Sequence, residues 1–273
     1  MKTISPSELN NFQLQTLLQT AIAPRPIALA STVDKDGNVN LSPFSFFNMF
    51  SSNPPIVIFS PARRVRDNTT KHTLENVLEV HEVVIGIVNY KIVQQISLAS
   101  TEYGKEVNEF VKSGLTMKDA DLVKPKLIEE CPVNLECKVL EIKHLGTEGG
   151  AGNLVICEVI KIHVREEYLN EQGTLDQKKL DLVARLGGNW YSRNNATSLF
   201  EVPKPLVTKG IGFDRLPEEI KFSDIFTGND LGMLANVEEL PTGNFSSDES
   251  IHIEAQKLLH QHQILEAWEI LKQ

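Results

Sequence analysis

Ten consecutive residues, Arg63-Arg-Val-Arg-Asp-Asn-Thr-Thr-Lys-His72, carry the cations Arg63, Arg64, Arg66 and Lys71 against one acid, Asp67. Their local charge is about +3 with His72 neutral, in a protein whose formal net charge is −9. A cationic island in an acidic protein suits a small anion; general nucleic-acid binding needs a broad basic footprint, and none is expected here. Lys71-His72-Thr73 also opens a run with Leu74, Val77 and Leu78 at helical spacing. The free N–H groups and dipole of a helix start favour an anion. Three charge-assisted hydrogen bonds at ~1.5–3 kcal/mol each would approach the ~8 kcal/mol of micromolar phosphate affinity, before entropy and desolvation.

Just upstream, Leu41 to Pro61 (LSPFSFFNMFSSNPPIVIFSP) places Ser45, Asn48, Ser51, Ser52 and Ser60 among Phe44, Phe46, Phe47 and Phe50. Two readings fit. One is an edge strand of a β-barrel that runs into a Pro-Pro turn. The other is a groove for a flat aromatic ligand with a polar tail. His72 reads either as a surface residue at a helix start or as an electrophile at a reaction centre. No Ser-His-Asp spacing, H-E-x-x-H or paired-carboxylate signature stands out, so no catalytic side chain and no metal site is assigned. Chemistry would have to come from a cofactor.

The elements that position these residues read as follows. Ile27 to Val33 is a strand, Asp34-Lys-Asp-Gly-Asn38 a hairpin turn, and Val39 to about Phe47 the returning strand. Ile56 to Ser60 is a third strand, Thr70 to Val80 a helix, Val83 to Val88 a buried strand and Lys91 to Ser100 a short helix. Thr101 to Glu130 reads as loop with helical pieces. Val133 to Ile142 and Leu154 to Val164 are long alternating strands around a Gly-rich connector. That connector fails as a phosphate loop, because Val155 stands where a third Gly is needed and a strand follows. Strands joined by short turns, with helices between only some of them, predict a mainly β fold: an antiparallel barrel with peripheral helices.

After Tyr191 the texture changes. Val202-Pro-Lys-Pro205 reads as an extended linker, and Ser246 to Gln273 as helical, with a Ser246–Glu249 capping box. Ile251, Ala255, Leu258, Leu265, Trp268 and Leu271 mark its apolar stripe. His260 and His262 sit two apart and point to different faces, so they form no ligand pair. The expected organisation is a barrel domain over 1–205 and a partly helical extension over 206–273. This tail reads as a docking or dimer-covering element.

At 273 residues, 41% hydrophobic and 23% charged, the chain can bury a large core as a globular protein. No run approaches the roughly 20 apolar residues of a membrane span, and Met1 to Gln15 lacks a basic-then-apolar export pattern. Cys131, Cys137 and Cys157 are odd in number with no C-x-x-C pair, as expected of buried thiols in a reducing, cytoplasmic compartment.

Several motifs taken in order then resemble one family. Pro24-Arg25-Pro26-Ile-Ala-Leu leads to Ser31-Thr-Val-Asp-Lys-Asp-Gly37, and on to Asn40-Leu-Ser-Pro-Phe-Ser-Phe-Phe-Asn48. Ser51-Ser-Asn-Pro-Pro55, Lys71-x-Thr73-x-x-Asn76, Glu109 to Leu115, Glu130 to Cys137 and Arg185-Leu-Gly-Gly-Asn-Trp-Tyr191 follow. Over about residues 15–205 this order resembles the flavin reductase-like proteins of the FMN-binding split-barrel superfamily, flavoredoxin included. The resemblance implies a homodimer that binds FMN near the subunit interface and acts as an oxidoreductase. NADH or NADPH would pass hydride to the flavin, and a small-molecule acceptor would take the electrons. An electron carrier without its own NAD(P)H site, or a non-catalytic flavin-binding protein, are the alternatives. Carried over by position, Ser45, Phe46, Phe47 and Asn48 would line the flavin ring, with Ser51 and Ser52 near the ribityl chain. Ser60, Arg63, Lys71 and Thr73 would hold the phosphate, and Asn76 would support that turn. Arg25 and Thr32 would close one side, and Gly187, Gly188 and Tyr191 would approach from the last strand region. The stretch Lys209 to Gln273 lies outside the resemblance.

Overall fold

The computed structural model describes residues 1–272. They divide into two compact units that meet in sequence at Leu199 and Phe200.

The first unit begins with helix α1 (Asn11–Ala21), capped at Asn10 by a reciprocal pair with Gln13. Then come β1 (Ala28–Val33), β2 (Val39–Phe44), β3 (Phe47–Ser52), β4 (Pro55–Phe59), α2 (His72–Glu79) and β5 (Glu82–Ile87). Helices α3 (Val93–Ala99) and α4 (Glu109–Ser113) precede the short pair β6 (Met117–Lys118) and β7 (Leu127–Ile128). The long strands β8 (Val133–His144) and β9 (Asn153–Val164) follow, then α5 (Gln177–Leu180), β10 (Leu182–Arg185) and β11 (Tyr191–Asn194).

Seven strands form one antiparallel sheet in the order β2-β1-β5-β8-β9-β4-β3. Consecutive strands β2 and β3 therefore occupy opposite edges, and only Ser45 and Phe46 join them. In a flat sheet those edges would lie roughly 29 Å apart at ~4.8 Å per strand. Three Cα steps from Phe44 to Phe47 reach at most about 11 Å. The sheet must curl until its edges face each other; the backbone N–H of Ser60, donating to the Phe46 carbonyl at 2.8 Å, extends the β3–β4 ladder into the two-residue link. The result is a split barrel with peripheral helices. The returning strand, expected to run to about Phe47, instead ends at Phe44 and restarts on the other edge.

Strand β1 is buried at all six positions. Its alternating residues feed two layers. Ala28 and Ala30 pack with Phe59, Val83, Ile85 and the α2 residues Leu74 and Val77. Leu29 packs on the other side with Leu41, Val84, Ile96 of α3 and Phe110 of α4. Cys131, Cys137 and Cys157 are buried free thiols, and burial pushes that of Cys137 up to about 12. A side chain at Gly86 would collide with Cys131, its Cβ lying 2.5 Å from Sγ.

The second unit has its own core around Ile220, Leu234, Leu259 and Trp268. It comprises α6 (Glu218–Lys221), α7 (Gly228–Leu234), α8 (Glu249–His260) and α9 (Ile264–Leu271). Residues 201–210, which include the expected linker, are all exposed. Asp248 caps α8 rather than Ser246, whose hydroxyl accepts from the Asp248 N–H. The helical stretch breaks at 261–263, with His262 at φ 59°, and this resets the phase. Leu265 consequently faces solvent, and Leu259 takes a core position.

Candidate functional site

Helix α2 begins without a cap: Lys71 at its N-cap offers no side-chain acceptor. The helices α1, α4, α5, α7 and α8 are each capped by an Asn, Asp or Thr side chain, whereas α3, α6 and α9 lack a side-chain cap as α2 does. The first N–H groups of α2 are thus left for another acceptor. They open on a small pocket that Asn40 and Ser42 of β2, Lys71, Thr73, Ser100 and Glu109 help to line. Its floor is a buried polar cluster. Asn40 Nδ2 donates to Thr73 Oγ1 at 2.9 Å, and Asn76 Nδ2 donates to Thr32 Oγ1 at 3.1 Å. These four side chains are all buried. Thr32 and Asn76 therefore lie beneath the pocket and hold its floor, while Thr73 and Lys71 face it.

The cations differ in how they are employed. Arg63 forks over Asn68, donating from Nε to Oδ1 and from Nη2 to the carbonyl, both at 2.6 Å. Arg64 binds Glu102 at 3.0 Å, Thr69 Oγ1 at 2.9 Å and the Thr70 carbonyl. Arg66 binds Asp67 and Glu102. Among the described residues the Lys71 ammonium has no hydrogen-bond or ion-pair partner, while its backbone carbonyl accepts from the Leu74 and Glu75 N–H groups. Burial, and next the neighbouring Arg64, hold its ammonium below the ordinary lysine range. Glu109, whose carboxylate accepts from the Leu41 N–H at 3.0 Å, is pushed upward, chiefly by burial. Lys71 is the free cation of this pocket.

The remaining expected residues fall elsewhere. Ser60 Oγ accepts from the Asn153 N–H at 3.1 Å and latches the loop after β4 to the start of β9. Ser60 and Arg63 shape the loop and do not line the α2 pocket. Ser45 and Phe46 form the seam between the sheet edges, and Phe47 and Asn48 begin β3. The Asn48 side chain folds back onto the Met49 N–H at 2.8 Å. Ser51 and Ser52 lie at the far end of β3, beside the turn into β4. Phe46 faces a second, larger cavity of about 730 Å³ between α1 and the β8–β9 connector, lined also by Leu18, Ile22, Arg25 and Val65. Arg64 borders the first cavity and Val65 the second, so the two flank one loop. Arg25 is buried, donates to the Gln19, Ile22 and Leu186 carbonyls, and so ties the end of α1 to the segment after β10. Gly187 packs so closely on α1 that a Cβ would lie 2.2 Å from Thr20 Oγ1; Gly188 forms an exposed turn. Tyr191 faces a third cavity, between α3 and the β10–β11 hairpin.

Sequence reasoning passed over Asn40, Ser100 and Glu109 as pocket residues. Asn40 and Glu109 lie within the family motifs; Ser100 reaches the pocket only through the packing of α3.

Residues 20–181 match the flavin reductase like domain, and the chain belongs to that family. An uncharacterized protein of Aquifex aeolicus is 34% identical over 67% of this chain and 91% of its own length. The nitrilotriacetate monooxygenase component B from Bacillus cereus is 28% identical, covers 74% of this chain and 98% of its own, and superposes with a TM-score of 0.68. A Shewanella frigidimarina protein with a split barrel domain is 25% identical over 75% of this chain and 100% of its own, with a TM-score of 0.63. Family membership places this chain among the flavin-linked oxidoreductases as a class.

Proposed function

We propose that this protein is an FMN-dependent oxidoreductase that takes reducing equivalents from NADH or NADPH and delivers them to a small-molecule acceptor. The observation that carries the reading is Lys71, a half-buried and unpaired cation at the uncapped start of α2. The pocket itself is only about 20 Å³, so a phosphate would sit at its mouth, against Lys71. It would restore to Lys71 the counter-charge that desolvation makes it need, and would accept from the open N–H groups of the helix. Thr73 joins Lys71 at the phosphate, Asn40 and Ser42 supply polar groups for the ribityl chain, and Thr32 and Asn76 hold that floor in place. Phe46 and the apolar wall of the larger cavity offer a water-poor surface for the ring. Bound there, FMN supplies the hydride-accepting ring. The protein's own work is to seat the phosphate, orient the ring and keep water from it.

The resemblance that implies FMN also implies a homodimer. Exposed Met49 and Phe50 on the edge strand β3, with Phe12 and Leu18 of α1, offer apolar surface for a second copy. Three buried free thiols suit a reducing compartment, and we place the protein in the cytoplasm.

The purified protein should absorb near 450 nm, within the flavin band. Lys71→Ala and Thr73→Ala should weaken FMN by at least about tenfold while leaving riboflavin, which lacks the phosphate, nearly unchanged. Equal losses for both ligands would remove the phosphate from this pocket. A colourless protein that cannot be reconstituted with FMN would overturn the flavin reading, and failure of NADH and NADPH to bleach bound FMN would leave an electron carrier.

A further inference from the structure

A third cavity, of about 500 Å³, lies between α3 and the β10–β11 hairpin, and its character differs from the other two. Arg185, Asn189, Tyr191 and Ser192 line it from the hairpin side, and Ser97 and Ser100 from α3 and its end. None of its lining residues is acidic. Arg193 also lines it, but that guanidinium is bound to both oxygens of Asp181, at 2.8 and 2.7 Å. Arg185 has no carboxylate partner among the described residues. Its guanidinium donates one hydrogen bond, to the Trp190 carbonyl at 3.1 Å, and lies over the Tyr191 ring at 4.6 Å. The hydroxyl of Ser192 is buried with no hydrogen-bond partner. An unpaired guanidinium and an orphaned hydroxyl in one acid-free cavity point to an anionic ligand.

The cavity is far larger than a bare phosphate requires and falls within the ~300–1,000 Å³ range of small-molecule sites. Tyr90 and Tyr191, 48% and 37% exposed, add aromatic surface of the kind on which a base stacks. Ser100 lines both this cavity and the pocket at the start of α2, so the two meet at that residue.

We propose that this cavity binds a phosphorylated nucleoside, the adenosine phosphate half of the nicotinamide donor, with Arg185 on the phosphate and the tyrosines against the base. The ligand's identity rests on the proposed use of NADH or NADPH; the anionic and aromatic character of the site does not. This gives the chain a nucleotide seat without a Gly-rich dinucleotide fold, next to the flavin pocket and separate from it.

Calorimetric titration of the FMN-loaded protein with ADP, and with adenosine as the uncharged control, tests this. ADP should bind at least about tenfold more tightly than adenosine, because a charge-assisted bond distinguishes them. Arg185→Gln should lose that difference. Asn189→Asp, at an exposed turn where the fold is safe, places a carboxylate in the cavity and should also weaken ADP several-fold. Equal affinity for adenosine and ADP, or wild-type ADP binding by Asn189→Asp, would overturn the site. Displacement of FMN by ADP would also overturn it, by showing that one groove serves both. If NADH and NADPH fail to bleach FMN while ADP binds as stated, the seat stands and the donor reading falls. If they bleach FMN while ADP does not bind, the seat falls and the donor reading stands.

Discussion

Two charged side chains of the first unit, Lys71 and Glu136, are both withdrawn from water, and they are treated in opposite ways. Glu136 is completely buried yet fully served. Its carboxylate accepts from the backbone N–H groups of Asp121, Leu122 and Val123 at 2.9, 2.6 and 3.1 Å, and meets His163 Nε2 at 2.6 Å. Burial acts to raise the Glu136 carboxyl, but His163 and those N–H donors outweigh it and hold it below the ordinary range. Lys71 has none of this. One charge is an internal fastener that pins the 121–123 loop onto β8. The other is a socket. Burial alone does not mark a functional charge; burial without a partner does.

Asp121, Glu136 and His163 also form a cluster of possible metal ligands. The Lys161 ammonium beside Asp121 and the saturation of Glu136 account for that cluster without an ion.

The contrast can be broken most forcefully at Glu136. Glu136→Gln replaces an acceptor of four bonds with a neutral amide and should cost at least ~3 kcal/mol of stability, read by denaturant unfolding. Because the folded carboxyl is held low, its contribution is complete above the ordinary glutamate range and is lost as pH falls through the folded value. The wild-type melting temperature should therefore drop below about pH 4.5, and the variant should show a shallower drop. An unchanged stability would mean that the fastener is idle.

Lys71→Met should do the reverse. Removing a desolvated and unpaired cation should leave the ligand-free melting temperature equal or higher, while shrinking the rise that FMN produces. A clear loss of ligand-free stability would make Lys71 structural. The smallest effect is expected at Glu102, which is 41% exposed and shared by Arg64 and Arg66. Glu102→Gln should change stability little and tighten FMN by less than about tenfold, by releasing two guanidiniums toward the anion. Weaker FMN binding would give Glu102 a positioning role.

Much of this was legible in the sequence where signals were local. Asp34 to Asn38 is the hairpin turn, with Gly37 at φ +87°, and Asp34 Oδ1 accepts from the N–H groups of Asp36 and Asn38. The alternating residues of β8 and β9 gave strands close to their observed bounds. The helix start at Lys71-His72 was likewise visible. What sequence could not resolve was supplied from a distance. The local charge near +3 ignores Glu102, which folds back over Arg64 and Arg66 and leaves Lys71 alone. The 101–130 stretch looked like loop because its organiser, Glu136, lies on another strand. The change of edge at Ser45-Phe46 carries no Gly or Pro to announce it, so strand character reads straight through.

That two-residue bridge has a kinetic consequence. Strands β2 and β3 sit at opposite ends of the sheet's pairing order, but neither edge can peel away without pulling on the other through Ser45 and Phe46. Amide hydrogen exchange along the two edges should therefore be correlated, rising and falling together under mild denaturant as one cooperative opening unit.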